Sequence, residues 1–232
     1  MTKTKIEKIV TGIPILGALA KRAVGWFRKV AFSETRYWES RYTAGGNSGA
    51  GSHGELAAFK AEVVNTFVQQ HRIRSVVEFG CGDGAQLLLA DYPAYTGLDV
   101  SRAAVMRSIE RFHDDPTKSF FLYDPDCFVD RCGTYRAELA LSLDVLYHLV
   151  DDKVFHAYMR HLFSSAERFV VIYSSDTDES SLAVHVRHRR FSAWINDHLP
   201  HWRLQKKIAN PFPFTGNLRT GSFADFCIYE RT

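Results

Sequence analysis

The 232-residue sequence has no Cys-x-x-Cys pair, no long apolar run, no internal repeat and no low-complexity tract. Its four cysteines, Cys81, Cys127, Cys132 and Cys227, lack paired spacing, which reads as a reducing, cytoplasmic setting. From Ile9 to Ala20 the apolar run covers only about a dozen residues, is broken by Pro14 and is followed by Lys21 and Arg22. That is too short to span a bilayer, and no small-residue cleavage site follows it. A basic surplus is also missing from most of the chain. The net charge is +3, but residues 1–30 alone carry seven Lys or Arg against one acid, Glu7, a local +6. The other 202 residues therefore sum to −3, which argues against a body built to grip a nucleic-acid backbone. The length fits one ordinary α/β domain with a substantial core plus an N-terminal extension.

The most informative stretch that is present is Val76 to Gln86, VVEFGCGDGAQ, an apolar strand running into a turn with glycines at Gly80, Gly82 and Gly84. Such a turn lets a ligand approach the main chain closely. Glycine spacing alone does not choose the ligand, because Gly80, Gly82 and Ala85 also satisfy the relaxed dinucleotide fingerprint. Charge chooses it. A pyrophosphate would meet like charge at Asp83, whereas the sulfonium and ammonium of S-adenosylmethionine suit Glu78 and Asp83. A second short strand, YTGLDVS, ends at Asp99, placed to accept ribose hydroxyls in either cofactor.

In the first 30 residues, Ile6, Ile9, Val10, Ile13, Leu16, Leu19, Ala23, Val24, Phe27 and Val30 recur at helical spacing among lysines and arginines, predicting one or two amphipathic helices. Two roles stay open for this segment: peripheral attachment to an anionic membrane surface, or docking on its own domain or on a second copy as a homodimer. A glycine-rich loop at 44–54 separates the aromatic segment YWESRY from a helix with Leu56, Phe59, Val63 and Phe67 on one face. From Arg74 onward strand and helix signals alternate: VVEF, a helix after Gly84, YTGLDV, a helix over 103–112, SFFLY, LALSL, a helix over 153–163 and RFVVIYSS. After a helix at 191–198, WRLQKKI and SFADFCIYE follow as an antiparallel hairpin. The pattern predicts an α/β fold with a Rossmann-like seven-stranded sheet, mostly parallel with an antiparallel closing strand and helices on both faces. Three parts are expected: an extension at 1–35, a loop and helix at 36–72, and a cofactor-binding domain at 73–232.

With its acidic residue followed by GxGxG, the chain resembles the class I S-adenosylmethionine-dependent methyltransferases from Tyr37 to Tyr229. The resemblance implies that Glu78, Gly80, Cys81 and Gly82 form the cofactor loop, that Asp99, Val100 and Ser101 hold the ribose end, and that Asp124 partners the adenine amino group. It also makes Tyr37, Arg41 and Tyr42 candidates for a lid over the cofactor, with Tyr42 touching it. A linker role for the glycines remains the alternative.

Ligands of open α/β sheets sit beyond the carboxyl ends of the strands, so the residues after LALSL bear on the acceptor. Asp144, Tyr147 and His148 fall there. An alcohol acceptor must shed a proton, and imidazole suits that task, so His148 is read as the general base with Asp144 positioning the substrate or the imidazole. A second cluster, His185, Arg187 and His188, would bind an anionic or polyhydroxylated substrate, or supply the base instead. Asp144, His148 and Asp176 would approximate an Mg²⁺ site, which nothing in their spacing requires.

As a set, YWESRY, GAGSHGELAAFKAE, EFGCGDG, LSLDVLYHL and HVRHRRF are similar to bacterial, mycobacterial-type methyltransferases of glycan and polysaccharide biosynthesis. The resemblance implies O-methylation of a sugar or oligosaccharide hydroxyl, releasing S-adenosylhomocysteine; the cysteines and the basic extension place it in the cytoplasm or at the inner membrane surface, and the charge balance predicts no nucleic-acid partner. A lipid or small-metabolite methyltransferase and a non-catalytic S-adenosylmethionine-binding component are the alternatives.

Overall fold

The computed structural model describes residues 32–181, 183–217 and 219–232. The expected amphipathic helices of the first 30 residues lie outside these. Helix α1 (Glu34–Thr43) is capped by Ser33 and leads through the glycine-rich loop to α2 (Gly54–Gln70). Strands β1 (Val76–Phe79), β2 (Tyr95–Asp99), β3 (Lys118–Leu122), β4 (Ala137–Leu143) and β5 (Ala166–Ser174) alternate with α3 (Arg102–Arg111) and α4 (Asp152–Ser164). Helix α5 (Phe191–His198) precedes β6 (Trp202–Ile208) and β7 (Asp225–Arg231). One seven-stranded sheet results, in the order β3-β2-β1-β4-β5-β7-β6. Strand β7 runs antiparallel to both neighbours, and the other pairings are parallel. This is the Rossmann-like architecture read from the sequence.

Alternation along the central strands builds two core layers, because successive side chains of a strand point to opposite faces. Val77 and Phe79 of β1, Ala140 of β4 and Val170 and Ile172 of β5 pack with Phe155, Met159 and Leu162 of α4. Val76, Leu139, Leu141, Phe169 and Val171 pack on the other face with Val64, Phe67 and Val68 of α2. By the same alternation Glu78 shares the face of Val76, where its carboxylate accepts the Tyr95 hydroxyl at 2.6 Å.

Two details depart from the sequence reading. No α-helix follows Gly84; a 3₁₀ turn, Gln86–Leu89, makes the crossover, leaving Leu88 and Leu89 exposed. Too few residues separate Gly84 from β2 for several helical turns and a return path, and Pro93 lies among them. The buried stripe of α2 is also rotated from the predicted one. It consists of Leu56, Ala57, Lys60, Ala61, Val64, Phe67 and Val68, with Phe59 and Val63 only half-buried. A lysine thus sits in the middle of an apolar face.

Candidate active site

After Phe79 the chain turns sharply, and Gly80 and Gly82 take φ of +86° and +61°. Glycine is needed at both. A Cβ on Gly80 would lie 2.4 Å from Val145 Cγ2, and one on Gly82 would lie 2.3 Å from Ser48 Oγ. Above this loop, at the carboxyl ends of β1, β2 and β4, opens a cavity of about 310 Å³. Glu78, Gly80, Cys81, Gly82, Asp99, Val100, Asp124 and Tyr42, all named from the sequence, line it. Asp99 accepts the Gly82 N–H at 2.9 Å through Oδ2 and the Ser101 N–H at 2.8 Å through Oδ1. A carboxylate has about four acceptor positions, so each oxygen keeps one for a ligand hydroxyl.

The wall is acidic. Glu34, Glu78, Asp99, Asp124, Asp126, Asp144 and Asp151 line it, while Lys60 is the one lysine or arginine among the described lining residues. Burial pushes the Glu78 carboxyl up to about 7, against the pull of its Tyr95 hydrogen bond and of Lys60. Burial likewise raises Asp99 to about 6, against the two backbone N–H groups it accepts. Two buried carboxyls that resist ionising favour a cationic guest, whose charge would offset their desolvation. Such a donor set fits S-adenosylmethionine.

The segment before β1 covers the cavity and is fastened to the rim at several points. Glu34 accepts the Val150 and Asp151 N–H groups at 2.7 and 2.9 Å, and Glu39 accepts the Ser101 hydroxyl at 2.7 Å. Arg107 of α3 donates to the carbonyls of Tyr42 and Gly46. Ser48 donates to Asp83 at 2.7 Å and lies 2.9 Å from the Tyr42 hydroxyl. The glycine-rich stretch is therefore seated on the domain. Of the lid residues, Tyr42 lines the cavity; Tyr37 stacks on His185 outside it, and Arg41 donates to the Asn47 carbonyl within the loop.

On the acceptor side, Asp144 follows β4 in the left-handed conformation, φ +61°. Its Oδ2 meets Lys60 Nζ at 2.6 Å and its Oδ1 accepts the Tyr147 hydroxyl at 2.8 Å. His148 lines the cavity beside Trp38, their rings 5.0 Å apart and edge-on. Its Nδ1 lies 2.9 Å from the carbonyl oxygen of His185. A carbonyl only accepts, so Nδ1 carries the proton and Nε2 the lone pair. Desolvation lowers the imidazole to about 4, so the ring is neutral at physiological pH.

Several sequence assignments do not survive the geometry. Asp144 makes no hydrogen bond to His148 among the described residues, its oxygens meeting Lys60 and Tyr147, and it keeps a place on the cavity wall beside the acceptor. Tyr147 is buried outside the lining and holds Asp144. Ser101 is buried as the N-cap of α3 and does not reach the cavity. Asp83 is buried outside the lining, its Oδ1 accepting from Ser48 and the Ala85 N–H, which leaves the cofactor cations to Glu78. His185, Arg187 and His188 do not line the cavity either. His185 acts through its carbonyl, His188 contacts Ser175 Oγ at 2.6 Å, and Arg187 donates to the Val150 carbonyl and to Asp152. Arg189 binds the same Asp152, so the basic cluster ties the β5–α5 segment to the start of α4. The Mg²⁺ trio does not converge: Asp176 accepts the Ser192 N–H in α5, and no group of three metal-ligating side chains occurs among the described residues.

Sequence reasoning missed Lys60, Trp38, Glu34 and Glu39. For Lys60 a signal existed, since it stands four residues from both Leu56 and Val64 on the buried stripe.

The sheet order, glycine turn and acidic cavity define a methyltransferase-type nucleotide fold. The methyltransferase-domain family model matches residues 52–213, and the chain belongs to that family, whose cofactor is S-adenosylmethionine. Comparison with curated proteins finds no match. Among solved structures, the methyltransferase domain of bacterial CtHen1-C is similar at 18% identity and a TM-score of 0.61, covering 76% of this chain and 99% of that one. Magnesium protoporphyrin IX methyltransferase from Synechocystis PCC 6803, with bound S-adenosylmethionine, is similar at 14% identity and 0.61, covering 87% and 99%. The N-methyltransferase NodS from Bradyrhizobium japonicum WM9 is similar at 15% identity and 0.59, covering 76% and 97%. At these identities the likeness establishes the fold. No helix among the described residues is long and apolar enough to cross a membrane.

Proposed function

We propose that the protein is an O-methyltransferase acting on a hydroxyl of a neutral acceptor, a sugar or oligosaccharide, with His148 as general base. The observation that carries this reading is the His148 tautomer. With Nδ1–H held by the His185 carbonyl, Nε2 is the atom able to take a proton from an acceptor hydroxyl.

When bound, S-adenosylmethionine supplies an electrophilic methyl group on a positively charged sulfur. Glu78 offers negative charge to that cation, and Asp99 accepts ribose hydroxyls with the acceptor positions its backbone donors leave free. Asp124, though exposed, remains on the wall for the adenine amino group. His148 would take the proton of the acceptor hydroxyl at Nε2 while the methyl passes from sulfur to oxygen, the carbon–sulfur bond breaking and the sulfur leaving as the neutral thioether of S-adenosylhomocysteine. Holding the hydroxyl and the methyl carbon in line removes much of the entropic barrier.

Acceptor class follows from charge. An acidic wall repels phosphates and carboxylates, and Arg187 and Arg189 are occupied by Asp152 and carbonyl groups. Trp38 and Phe32 give the wall aromatic faces of the kind that hold sugar rings. The acidic lining also favours a second reading, methylation of a cationic amine. The test is turnover of S-adenosylmethionine against a panel of sugars, oligosaccharides, amino sugars, lipids and small amines, with products assigned by mass spectrometry. Methyl ethers of sugars support the first reading; N-methyl products alone support the second and overturn the first.

A further inference from the structure

Lys60 is an unusual residue to find where it stands. Its side chain is only 2% exposed, it sits in the apolar stripe of α2, and it still reaches the cavity wall. An ammonium has three N–H donors, and among the described residues only Asp144 accepts one of them. The Tyr173 ring, 5.6 Å away, offers a π face and no lone pair. Leaving charged donors unused in a buried place is costly unless a ligand completes them.

Gln86, on the same wall, has the complementary deficit. Its Nε2 donates to the Ala57 carbonyl at 3.0 Å, one turn before Lys60 on α2, and this bond fixes which way the amide points. Its Oε1 is then a buried acceptor with no partner. A donor with spare hydrogens and an orphaned acceptor thus line the same cavity, Gln86 two residues after Gly84 of the glycine turn.

We propose that Lys60 and Gln86 form the subsite for the α-amino-acid end of the cofactor, Lys60 donating to its carboxylate and Gln86 Oε1 accepting from its ammonium. The surrounding charges explain why both are needed. Glu78 and Asp144 lie on the same wall and favour the ammonium, yet they would repel a carboxylate. Lys60 is the one cation on the described wall that offsets this repulsion, and its bond to Asp144 keeps it there. Gly51 packs closely against this pair, since a Cβ there would sit 2.7 Å from Asp144 Oδ2 and 3.7 Å from Lys60 Nζ.

This inference rests on the cavity being the cofactor site, and its test separates the two. Calorimetry would compare S-adenosylhomocysteine with 5′-methylthioadenosine, which keeps the nucleoside and the sulfur and lacks the amino-acid end. Wild-type protein should bind the first much more tightly. Gln86→Leu and Lys60→Met should each weaken S-adenosylhomocysteine by roughly ten- to hundredfold, the range for a hydrogen bond to a charged group, and leave 5′-methylthioadenosine within about twofold. Gln86→Leu keeps the test decisive if Lys60→Met unfolds by stranding Asp144. Equal losses for both ligands, or no loss with Gln86→Leu, would overturn the subsite while leaving the cofactor site intact. A wild-type protein that binds neither compound would overturn the cofactor site itself.

Discussion

The carbonyl oxygen of His185 lies 2.9 Å from Nδ1 of His148, so a residue outside the cavity sets the protonation pattern of one inside it. The His185 ring also stacks on the His148 ring, centroids 5.6 Å apart, and Tyr37 stacks on the far side of His185. The acceptor base is thus held by packing from α1 and by a backbone bond from the segment after β5. Because the bond is to the backbone, His185→Phe should keep the tautomer and most of the transfer rate. A loss as large as that of His148→Ala would show that the imidazole of His185 takes part itself.

Cofactor affinity should depend on pH through the buried acids. Glu78 at about 7 and Asp99 at about 6 are partly protonated near neutrality, and a cationic guest requires them ionised. S-adenosylmethionine binding should therefore release protons, and its affinity should fall by roughly ten- to hundredfold between about pH 8 and pH 5.5. Calorimetry in buffers of different ionisation enthalpy reads the released protons directly. No uptake or release at pH 6.5 would contradict the charge assignment.

The same shifts bear on stability of the empty protein. A carboxyl raised from 4.5 to about 7 stabilises the fold fully below the unfolded value and loses that contribution as pH rises through 7, roughly 3 kcal/mol for Glu78 alone. His148 has the opposite sign, since the unfolded imidazole takes up a proton between about pH 6.5 and 4 and the folded one resists. Glu78→Gln, which removes the first contribution and keeps the shape, should raise melting temperature at pH 8 relative to wild type and abolish tight cofactor binding. A variant less stable than wild type at pH 8 would show that the Glu78 charge supports the fold.

Arg189 tests whether the basic cluster is structural. Its guanidinium donates to the Leu149 and Val150 carbonyls and to Asp152 while lying 4.7 Å from the Phe155 ring centroid. Arg189→Ala should lower stability by about 1 to 3 kcal/mol, since it removes the donor to the Leu149 carbonyl and the guanidinium packed on Phe155, while Arg187 still serves the Val150 carbonyl and Asp152. The folded fraction should keep its acceptor KM. A raised KM with unchanged melting would return the cluster to substrate binding.

Much of the fold was legible because the strands obey a simple rule. VVEF and LALSL announce themselves by apolar runs and pair in parallel through crossover connections, and WRLQKKI pairs antiparallel with the strand that follows it. The cofactor wall was legible for a related reason, since Glu78, Gly80 and Gly82 are neighbours along the sequence and Asp99 ends the next strand, 17 residues after Gly82 and paired beside them. The acceptor side was not. Arg187 and His188 resemble a binding cluster until the structure shows Asp152 and Ser175 beside them, and no local pattern reports partners 35 and 13 residues away. Lys60 and Asp144 are 84 residues apart in sequence and meet only when α2 crosses the end of β4.

The most direct test of the account is His148→Ala in single-turnover methyl transfer, read beside S-adenosylhomocysteine affinity on the same preparation. The account expects transfer to an alcohol acceptor to slow by roughly 10²- to 10⁴-fold while affinity stays within about twofold of wild type. A transfer rate that does not change, or a rate and an affinity that fall together, would contradict His148 as the base.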